Sequence, residues 1–489
     1  MLKKVVFFIM AVFFICGSIW SQEFGFGFGF DDEETESGGA VSGTSANANN
    51  EISVSISGEV SAAIVGFLDD FSEGAENINT RDMFIFSGKL NFLSQSSFAE
   101  GIINMKLVPA FVPVSINEAY IRAFFGNFDF TAGLLKLAWG KADQFGPLDI
   151  INMPDSSRMF IEMADNSNLM DVKIANPIIH ASYRFGMFSK FEGVFLPSFE
   201  IVSMAVSSAF GETNEFLSLV RGPVSERWIP PQIRELNDKV KEDNGKLIIP
   251  DTSKINFAQA GLRFTTTIGS VDLGAQYFYG RMFQPVVKTT YDFINSKIKS
   301  VELIFNKYHQ IGLDYAQDLF GFNVRAEVAA NITEDINGDD GYIYNPSLAW
   351  SFGFDKDLFW GINLNLQVNE SIRLMNDKVG SSELAIIEDP LLPIPSMNPN
   401  FDIEADMSVT ATRLTATLSK KFLRDELELR TAVVWGIEDN DCVIIPALIW
   451  TKDDFRAALS GGFFAGDSKG QLGQYKDNNF LKISVTYMF

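Results

Sequence analysis

The feature that most constrains this chain is a period of two in its hydrophobicity, which recurs from residue 51 to the last residue. The final stretch has an apolar residue at every second position, at Leu481, Ile483, Val485, Tyr487 and Phe489. Successive side chains of a β-strand point to opposite faces, so each such stretch forms a strand with one apolar and one polar face. The pattern therefore indicates an all-β protein made of many two-faced strands.

Eighteen segments show this alternation, among them a long one at 297–317, and the connections between the segments are short and long in turn. The short connections include 95–97 and 126–127, whereas the long ones include 140–175, 206–254 and 370–401. Short turns at one rim and long loops at the other are typical of bacterial outer-membrane barrels. We therefore expect a single antiparallel transmembrane β-barrel of about 18 strands, with short periplasmic turns and long outer loops. A barrel of 16 strands also fits if one pair of segments is misread.

The first residues have the pattern of a secretory signal. Lys3 and Lys4 precede an apolar run from Val5 to Cys16, which is too short to span a bilayer comfortably as a helix. The Gly-, Phe- and Ser-rich stretch that follows has an acidic run and a composition typical of a disordered tail. An alternative is that this tail docks into the lumen or onto a partner. The predicted organisation is a signal peptide at 1–22, a periplasmic tail at 23–50 and an outer-membrane barrel at 51–489.

Composition excludes several other classes of protein. Acidic residues outnumber Lys plus Arg by 62 to 39, so the chain would repel nucleic acid. Cleavage of the signal would leave Cys442 as the one cysteine, which rules out an intramolecular disulfide. The two histidines, His180 and His309, offer little for histidine catalysis or for a His-rich metal site. We therefore predict no catalytic site, no cofactor and no metal.

The most distinctive motif lies between Gly133 and Asp155. Its skeleton is Trp139-Gly140, Asp149, Asn152, Pro154 and Asp155. With the preceding Asn117–Tyr120, it resembles a W-G…D-x-x-N…P-D pattern of poorly characterised Gram-negative porin-like barrels, which are related to phosphate-selective and alginate-export porins. The resemblance covers about 40 residues, and it departs from the pattern at Leu135-Lys136 and at Met153. It implies the fold and the outer membrane, and it does not imply a substrate.

The resemblance to general porins also implies that residues 140–175 fold into the lumen and narrow the pore. The charged and amide side chains of this segment are then expected at the constriction: Asp143, Asp149, Asn152, Asp155 and Glu162, with Lys141 and Arg158. A ring of carboxylates favours cations. The alternative is that Asp149, Asn152 and Asp155 cap local turns through side-chain to backbone hydrogen bonds.

Charged residues on the polar faces of predicted strands are the candidates for the pore lining: Glu118, Arg122, Arg325, Glu327, Glu426, Glu428 and Arg430. At the C-terminus, Tyr487 and Phe489 are expected to form the signal for the barrel-assembly machinery. The last strand is expected to close the barrel against Ile52–Ile64. Two local features are also predicted, namely a short helix at 233–240 and a β-bulge near Thr412 and Arg413.

The predicted function is a porin-like channel in the cell outer membrane for passive diffusion of small hydrophilic solutes, with a mild preference for cations. One alternative is a transporter of hydrophobic compounds of the fatty-acid type, and another is a surface adhesin or antigen that uses its long loops. The expected partners are outer-membrane lipid, the barrel-assembly machinery and small solutes. A trimer and a monomer are both left open.

Overall fold

A computed structural model describes residues 52–73, 83–108, 112–199, 226–375 and 409–489, except for positions 167, 229, 230, 293, 294, 296, 341 and 469. The predicted signal peptide and periplasmic tail lie outside the described residues. The helices are α1 (Leu68–Glu73), α2 (Ser156–Met163), α3 (Leu169–Val172) and α4 (Pro231–Glu242), and single 3-10 turns lie at Glu226–Trp228, Ile255–Phe257, Phe359–Gly361 and Gly473–Tyr475. No helix among the described residues is long and apolar enough to cross a membrane.

The described strands are numbered in chain order, and eighteen of them form one closed antiparallel sheet. These eighteen are β1 (Ser53–Phe67), β2 (Phe84–Gln95), β3 (Ala99–Val108), β4 (Val112–Phe125), β5 (Phe128–Leu135), β6 (Asn176–Phe185), β7 (Ser189–Leu196), β9 (Gln259–Ile268), β10 (Val271–Arg281), β13 (Lys307–Leu319), β14 (Phe322–Thr333), β15 (Ser347–Asp357), β16 (Ile362–Arg373), β17 (Thr410–Phe422), β18 (Leu427–Gly436), β19 (Asp441–Lys452), β20 (Phe455–Ala465) and β21 (Phe480–Met488). The predicted barrel of 18 strands is confirmed.

Closure takes place between the first and the last strand. β21 runs antiparallel to β1, from the pair Phe67–Phe480 to the pair Glu59–Met488. Backbone hydrogen bonds then join Gly58 and Phe489 in both directions, at 2.8 and 2.9 Å. The predicted closure of the last strand against the segment near Ile52–Ile64 is therefore confirmed.

The wall inverts the burial pattern of a soluble protein. Along β21 the apolar side chains point outward and are exposed, with Ile483 at 57%, whereas Lys482, Ser484 and Thr486 point inward and are buried. The same alternation recurs on other strands, as in β13, where Ile311 is exposed and Gln310 is buried. An apolar outer face and a polar inner face are what a barrel needs when lipid surrounds it and its lumen is polar.

The connections confirm the predicted asymmetry of the two rims. Eight turns of two to four residues join strands at one rim, which we call the short-turn rim. The connections at the opposite, long-loop rim include 136–175, 197–258 and 374–409. Both ends of the barrel sequence, Ser53 and Phe489, lie at the short-turn rim because the strand number is even.

A second, small sheet lies in the connections of the long-loop rim. It consists of β8 (Lys246–Ile248), β11 (Val286–Asp292) and β12 (Lys297–Ile304), in the order β11-β12-β8. The helix predicted at 233–240 is confirmed as α4, and its Leu236 and Val240 join Ile298 and Val301 in a buried cluster. Apolar spacing along one helix face therefore marked this element correctly.

Two local predictions were wrong. The strand expected at 297–317 is divided between β12 and β13, because Phe305 packs into the small sheet while the Asn306 side chain bonds to the backbone of Tyr342 and Tyr344. The bulge expected near Thr412 and Arg413 is absent, since β17 pairs with β16 in continuous register. Of the five odd-numbered apolar positions that suggested it, 403, 405 and 407 lie outside the described residues, and Val409 directly precedes β17, in which Ala411 lies.

A charge on the outward face should destabilise the barrel in lipid. Ile483→Lys should lower the free energy of unfolding by about 2–4 kcal/mol if this position lies near the bilayer midplane, because the ammonium would have to leave water. Urea unfolding in lipid vesicles measures the change, with Ile483→Leu as the matched control. Equal stabilities of the two variants would contradict lipid contact of this face.

Candidate functional site

The connection between β5 and β6, residues 136–175, is the best candidate for a functional site, and we call it the inner segment. It contacts side chains of the polar, inward face on nine strands around the barrel. These side chains are Lys89 on β2, Lys106 on β3, Glu118 on β4, Gln276 on β10, Gln310 on β13, Arg325 and Glu327 on β14, Asn365, Gln367 and Asn369 on β16, Arg430 on β18, and Lys482 and Ser484 on β21. The wall therefore holds this segment from several sides.

Glu327 forms the most concentrated of these contacts. Its carboxylate accepts backbone hydrogen bonds from Lys141, from Ala142 at 2.7 Å and from Leu148 at 3.2 Å. A Cβ atom at Gly140 or at Gly146 would lie 2.3 Å from a carboxylate oxygen of Glu327. Only glycine leaves room for the carboxylate at these two positions, and Gly140 also has a φ of +99°. Glu327, predicted as a pore-lining residue, thus fastens the start of the inner segment.

Glycines of the wall receive apolar side chains of the same segment. A Cβ atom at Gly261 on β9 would lie 2.8 Å from the Trp139 ring, and one at Gly312 on β13 would lie 2.2 Å from Leu148 Cδ2. Trp139 is buried with Ile178, Phe278 and other apolar residues. The Trp-Gly pair of the motif therefore has a packing role, since Trp139 fits against one strand and Gly140 admits the carboxylate of another.

Asn152 ties the two ends of the inner segment together. Its side chain accepts from the backbone N–H of Leu137 at 2.7 Å and donates to the carbonyls of Leu135 and Ile174. The residue is completely buried. Close by, the backbone N–H of Asp155 donates to the carbonyl of Val172 at 2.7 Å, and Asp155 is buried too. Asn152 therefore bonds to the backbone, as the alternative interpretation expected, but it joins distant parts of the chain and does not cap a local turn.

The carboxylates of the inner segment are paired with cations. Asp143 pairs with Arg325, Asp149 with Lys173 at 2.5 Å and Glu162 with Lys106 at 2.5 Å. Two further pairs, which the sequence did not single out, join Asp165 to Lys482 at 2.7 Å and Asp171 to Lys89 at 3.1 Å. Three carboxylates of the expected ring are thus ion-paired, and the ring itself stays a prediction. Partly buried charges need such partners.

The two cations of the expected constriction, Lys141 and Arg158, lie at the start of the inner segment and in α2. Lys141 contributes its backbone N–H to Glu327. Arg158 lies within α2, which covers part of the wall. Near this helix, Phe160 and Trp228 have ring centroids 5.6 Å apart, and Trp228 also lies 5.7 Å from Phe464 on β20. This aromatic cluster joins the inner segment and the 197–258 connection to the barrel wall.

The predicted pore-lining residues fall into two groups. Glu118 accepts hydrogen bonds from Asn104 and from the backbone of Lys136, and Arg430 donates to the carbonyl of Met163, so both hold the inner segment or its surroundings. Arg325 bridges Asp143 and Asp355, its distance to Asp355 being 2.8 Å.

The second group lies away from the inner segment. Arg122 pairs across the strands with Glu100 at 3.2 Å. Glu428 shares the face of β18 with Arg430. Glu426 is not part of a strand, which is a correction, because the positive φ angles of Leu423, Arg424 and Asp425 turn the chain before β18 begins at Leu427.

Two pKa shifts show the electrostatic character of the inner segment. Burial lowers the pKa of the Lys136 ammonium to about 8, against the opposing influence of Glu118 and Asp171. Burial alone would raise the pKa of Asp171, but the Lys89 ammonium and the Asn166 amide outweigh it and hold this pKa below its usual range. Lys136 donates to the carbonyl of Met170 at 2.8 Å. The charge of Lys136 therefore changes between pH 7 and pH 9.

Neither histidine contacts a serine hydroxyl among the described residues. His180 Nε2 lies 3.1 Å from Glu192 Oε1 on the inward face, and His309 Nδ1 lies 2.7 Å from the hydroxyl of Tyr277 on the outward face. No group of three His, Cys, Asp or Glu side chains in the described part of the chain is arranged to hold a metal ion. The expected absence of catalysis, of a cofactor and of a metal stays a prediction.

Comparisons with known proteins find remote structural likenesses. No protein-family model matches the sequence, and no curated protein matches it either. Among solved structures, the chain is similar to OccD3 (OpdP) of Pseudomonas aeruginosa, with 9% identity, 90% of this chain and 91% of that chain covered, and a TM-score of 0.46. It is also similar to Wzi of Escherichia coli, described as a carbohydrate-binding β-barrel involved in group 1 capsule assembly, with 10% identity, coverage of 88% and 84%, and a TM-score of 0.43. A mutant of the Rh. blastica porin has 10% identity, coverage of 89% and 100%, and a TM-score of 0.38.

Removing the Glu327 carboxylate should release the start of the inner segment. Glu327→Ala should lower the free energy of unfolding by about 2–4 kcal/mol, because the backbone donors of Lys141, Ala142 and Leu148 lose their acceptor. Denaturant unfolding measures this loss, and limited proteolysis should show new cleavage between residues 140 and 148. The matched control is Glu428→Ala, an inward carboxylate without such a set of backbone donors. Equal effects of the two substitutions would contradict the fastening role.

Proposed function

We propose that this protein is an outer-membrane channel through which small hydrophilic solutes diffuse passively, with a mild preference for cations. The observation that carries the proposal is the closed wall, which is apolar outside and polar inside. A wall of this kind is suited to lipid on one side and water on the other. The predicted export signal, the place in the outer membrane and assembly through the C-terminal Tyr487 and Phe489 belong to the same proposal.

The constriction in this proposal is formed by residues 140–175 inside the lumen. Its support is the set of contacts between this segment and the inward faces of strands as far apart in the sheet as β3, β14 and β21. A segment fastened on opposite sides of a closed wall narrows the passage through it. The short-turn rim then faces the periplasm and the long loops face outward.

The mild cation preference arises from the overall excess of acidic residues, 62 against 39 basic ones. The carboxylates of the inner segment contribute less than an unpaired ring would, because the basic partners of Glu162, Asp149, Asp165 and Asp171 lie only 2.5 to 3.1 Å away. A pore whose lining charges are largely paired selects mainly by size. The proposal therefore needs no binding site for one particular solute.

The two alternative functions lack an observation in their favour. A transporter of hydrophobic compounds needs an N-terminal hatch, and residues 23–50 lie outside the described part of the chain. An adhesin would use the long loops, of which 201–225 and 376–408 also lie outside it. The polar inward face favours the channel for hydrophilic solutes.

Single-channel recordings in planar bilayers test the proposal. Purified protein should show ohmic conductance, and a KCl gradient should give a reversal potential of mildly cation-preferring sign. Glu162→Gln should reduce the preference and Lys106→Met should increase it, because each leaves its partner's charge unpaired in the passage.

The double variant Glu162→Gln/Lys106→Met is the matched control, since it removes both charges and should restore the original reversal potential. A protein that stays silent in bilayers would overturn the channel proposal. If the protein conducts but all three variants leave the reversal potential unchanged, Glu162 and Lys106 do not line the conduction path.

The pH dependence of selectivity should follow Lys136. Its pKa is about 8, so raising the pH from 7 to 9 removes its positive charge and should increase the preference for cations. Lys136→Met should show at pH 7 the selectivity that the unmodified protein reaches at pH 9, and its selectivity should not change between these pH values. Reversal potentials recorded across this range measure the effect. A variant that still shows the pH-dependent change would assign that change to another titrating group.

A further inference from the structure

The first strand of the barrel extends beyond the end of the last one at the short-turn rim. β21 ends where Phe489 pairs with Gly58, and β1 begins five residues earlier, at Ser53. Residues 53–57 pair with β2 on one side. On their other side no described strand lies opposite them. Among the described residues, this edge of β1 at the seam is therefore unpaired, and we call it the free edge.

This free edge is longer than the offsets elsewhere at the same rim. β17 passes the last residue paired with β16 by two positions, from Lys420 to Phe422. β19 likewise passes the last residue paired with β18 by two, from Trp450 to Lys452. An offset of two residues per step follows from strand tilt. The additional length of β1 is a feature of the seam alone.

The side chains along this edge form an exposed apolar row. Ile52, Val54 and Ile56 are 68%, 66% and 60% exposed. The backbone of Gly58 bonds toward β21, and N–H and C=O directions alternate along a strand, so the backbone groups of these same even-numbered residues face the open side. An exposed edge with apolar side chains is a template for another strand.

The chain itself contains a segment that matches this edge. Residues 24–30 alternate strictly, with Phe at every even position and Gly at every odd one, and an acidic run begins at Asp31. As a strand, this segment would have all its aromatic rings on one face and no side chains on the other. Aromatic residues pair well with β-branched residues across two strands.

We propose that residues 25–30 add to the free edge of β1 as a short antiparallel strand, in line with β21 and directly below Phe489. Phe30, Phe28 and Phe26 lie opposite Ile52, Val54 and Ile56, and the glycines lie opposite the serines of β1. The rings cover the exposed apolar row on the outer face, while the glycine face leaves the mouth of the barrel clear. The added strand cannot extend along β1 beyond Ser57, because the backbone of Gly58 is already hydrogen-bonded to Phe489.

The tether favours this occupant over a second copy of the chain. Residues 31–51 connect the two paired stretches, which is enough chain to reverse direction and return to β1. A tethered segment reaches its site at a high effective concentration, whereas a second molecule must be recruited from solution. Pairing within one chain also blocks edge-to-edge association of two barrels.

Disulfide trapping in the full-length, membrane-inserted protein tests the proposal. Phe28→Cys and Val54→Cys are combined with Cys442→Ser, and mild oxidant is added. Residues directly opposite in a hydrogen-bonded antiparallel pair have Cα atoms about 5.5 Å apart, which suits a disulfide. The matched control combines Phe28→Cys with Phe320→Cys, because Phe320 is 97% exposed in a turn of the same rim on the far side of the barrel.

The 28–54 disulfide should form about tenfold faster than the 28–320 one, because pairing raises the effective concentration of its two thiols. Mass spectrometry identifies which cysteines have joined. Equal rates, or a disulfide between two molecules, would overturn the proposal. Amide hydrogen exchange gives a second measurement, since the N–H groups of Val54 and Ile56 should be protected in the full chain and exposed after Phe26→Asp/Phe28→Asp. Fast exchange of both amides in the unmodified chain would also overturn it.

Discussion

The structure depends on the need of every backbone N–H and C=O group in hydrocarbon to find a partner. Water cannot supply one there, and each unpaired group costs several kcal/mol. A β-sheet meets this requirement only when its last strand returns to its first. The pairing of β21 with β1, from Phe67–Phe480 to Glu59–Met488, is therefore the contact on which the other seventeen pairings depend. A chain that alternates well but fails to close would expose two edges to lipid.

Closure also decides where the polar side chains go. With the apolar positions outward, positions such as Lys482, Gln310 and Glu327 face a confined interior. Ionised and amide groups in such a space need partners of their own, and the inner segment supplies them as backbone amides, carbonyls and carboxylates. The ion pairs are weak evidence for stability, because desolvation offsets much of the attraction. Their clearer effect is to fix position, since a segment held at Lys106, Arg325 and Lys482 cannot shift freely.

The sequence predicted those features that depend on local periodicity. Apolar spacing and turn residues were enough to predict four features. These are the eighteen strands, the alternation of short and long connections, closure through the last strand, and helix α4. The division at Phe305 and Asn306 was missed because both strands alternate and the break depends on contacts with Tyr342 and the small sheet. The strand that was expected to include Glu426 begins one residue later, at Leu427. Only the turn geometry of Leu423–Asp425 shows this start.

The contacts of the inner segment could not be predicted from the sequence, for a different reason. The motif at Trp139–Asp155 marked the right place, yet its chemistry is set by residues far away in sequence. Glu327 lies 185 positions from Ala142, and nothing local distinguishes it from Glu428 on another inward face. Gly261 and Gly312 gave no signal either, because glycine in a strand is informative only when the side chain that fills its space is known.

The fit of Glu327 to Gly140 and Gly146 shows how a rigid wall and a folded segment determine one another. The carboxylate needs backbone donors because it is buried, and the donors converge on it only because two glycines leave the space open. Trp139 and Leu148 repeat the arrangement with the roles exchanged, as side chains of the segment meet glycines of the wall. In the proposed channel, the width of the passage would depend on this steric fit and on the paired charges. Substitution of Gly140, Gly146, Gly261 or Gly312 should therefore change the width of the proposed passage without changing its net charge.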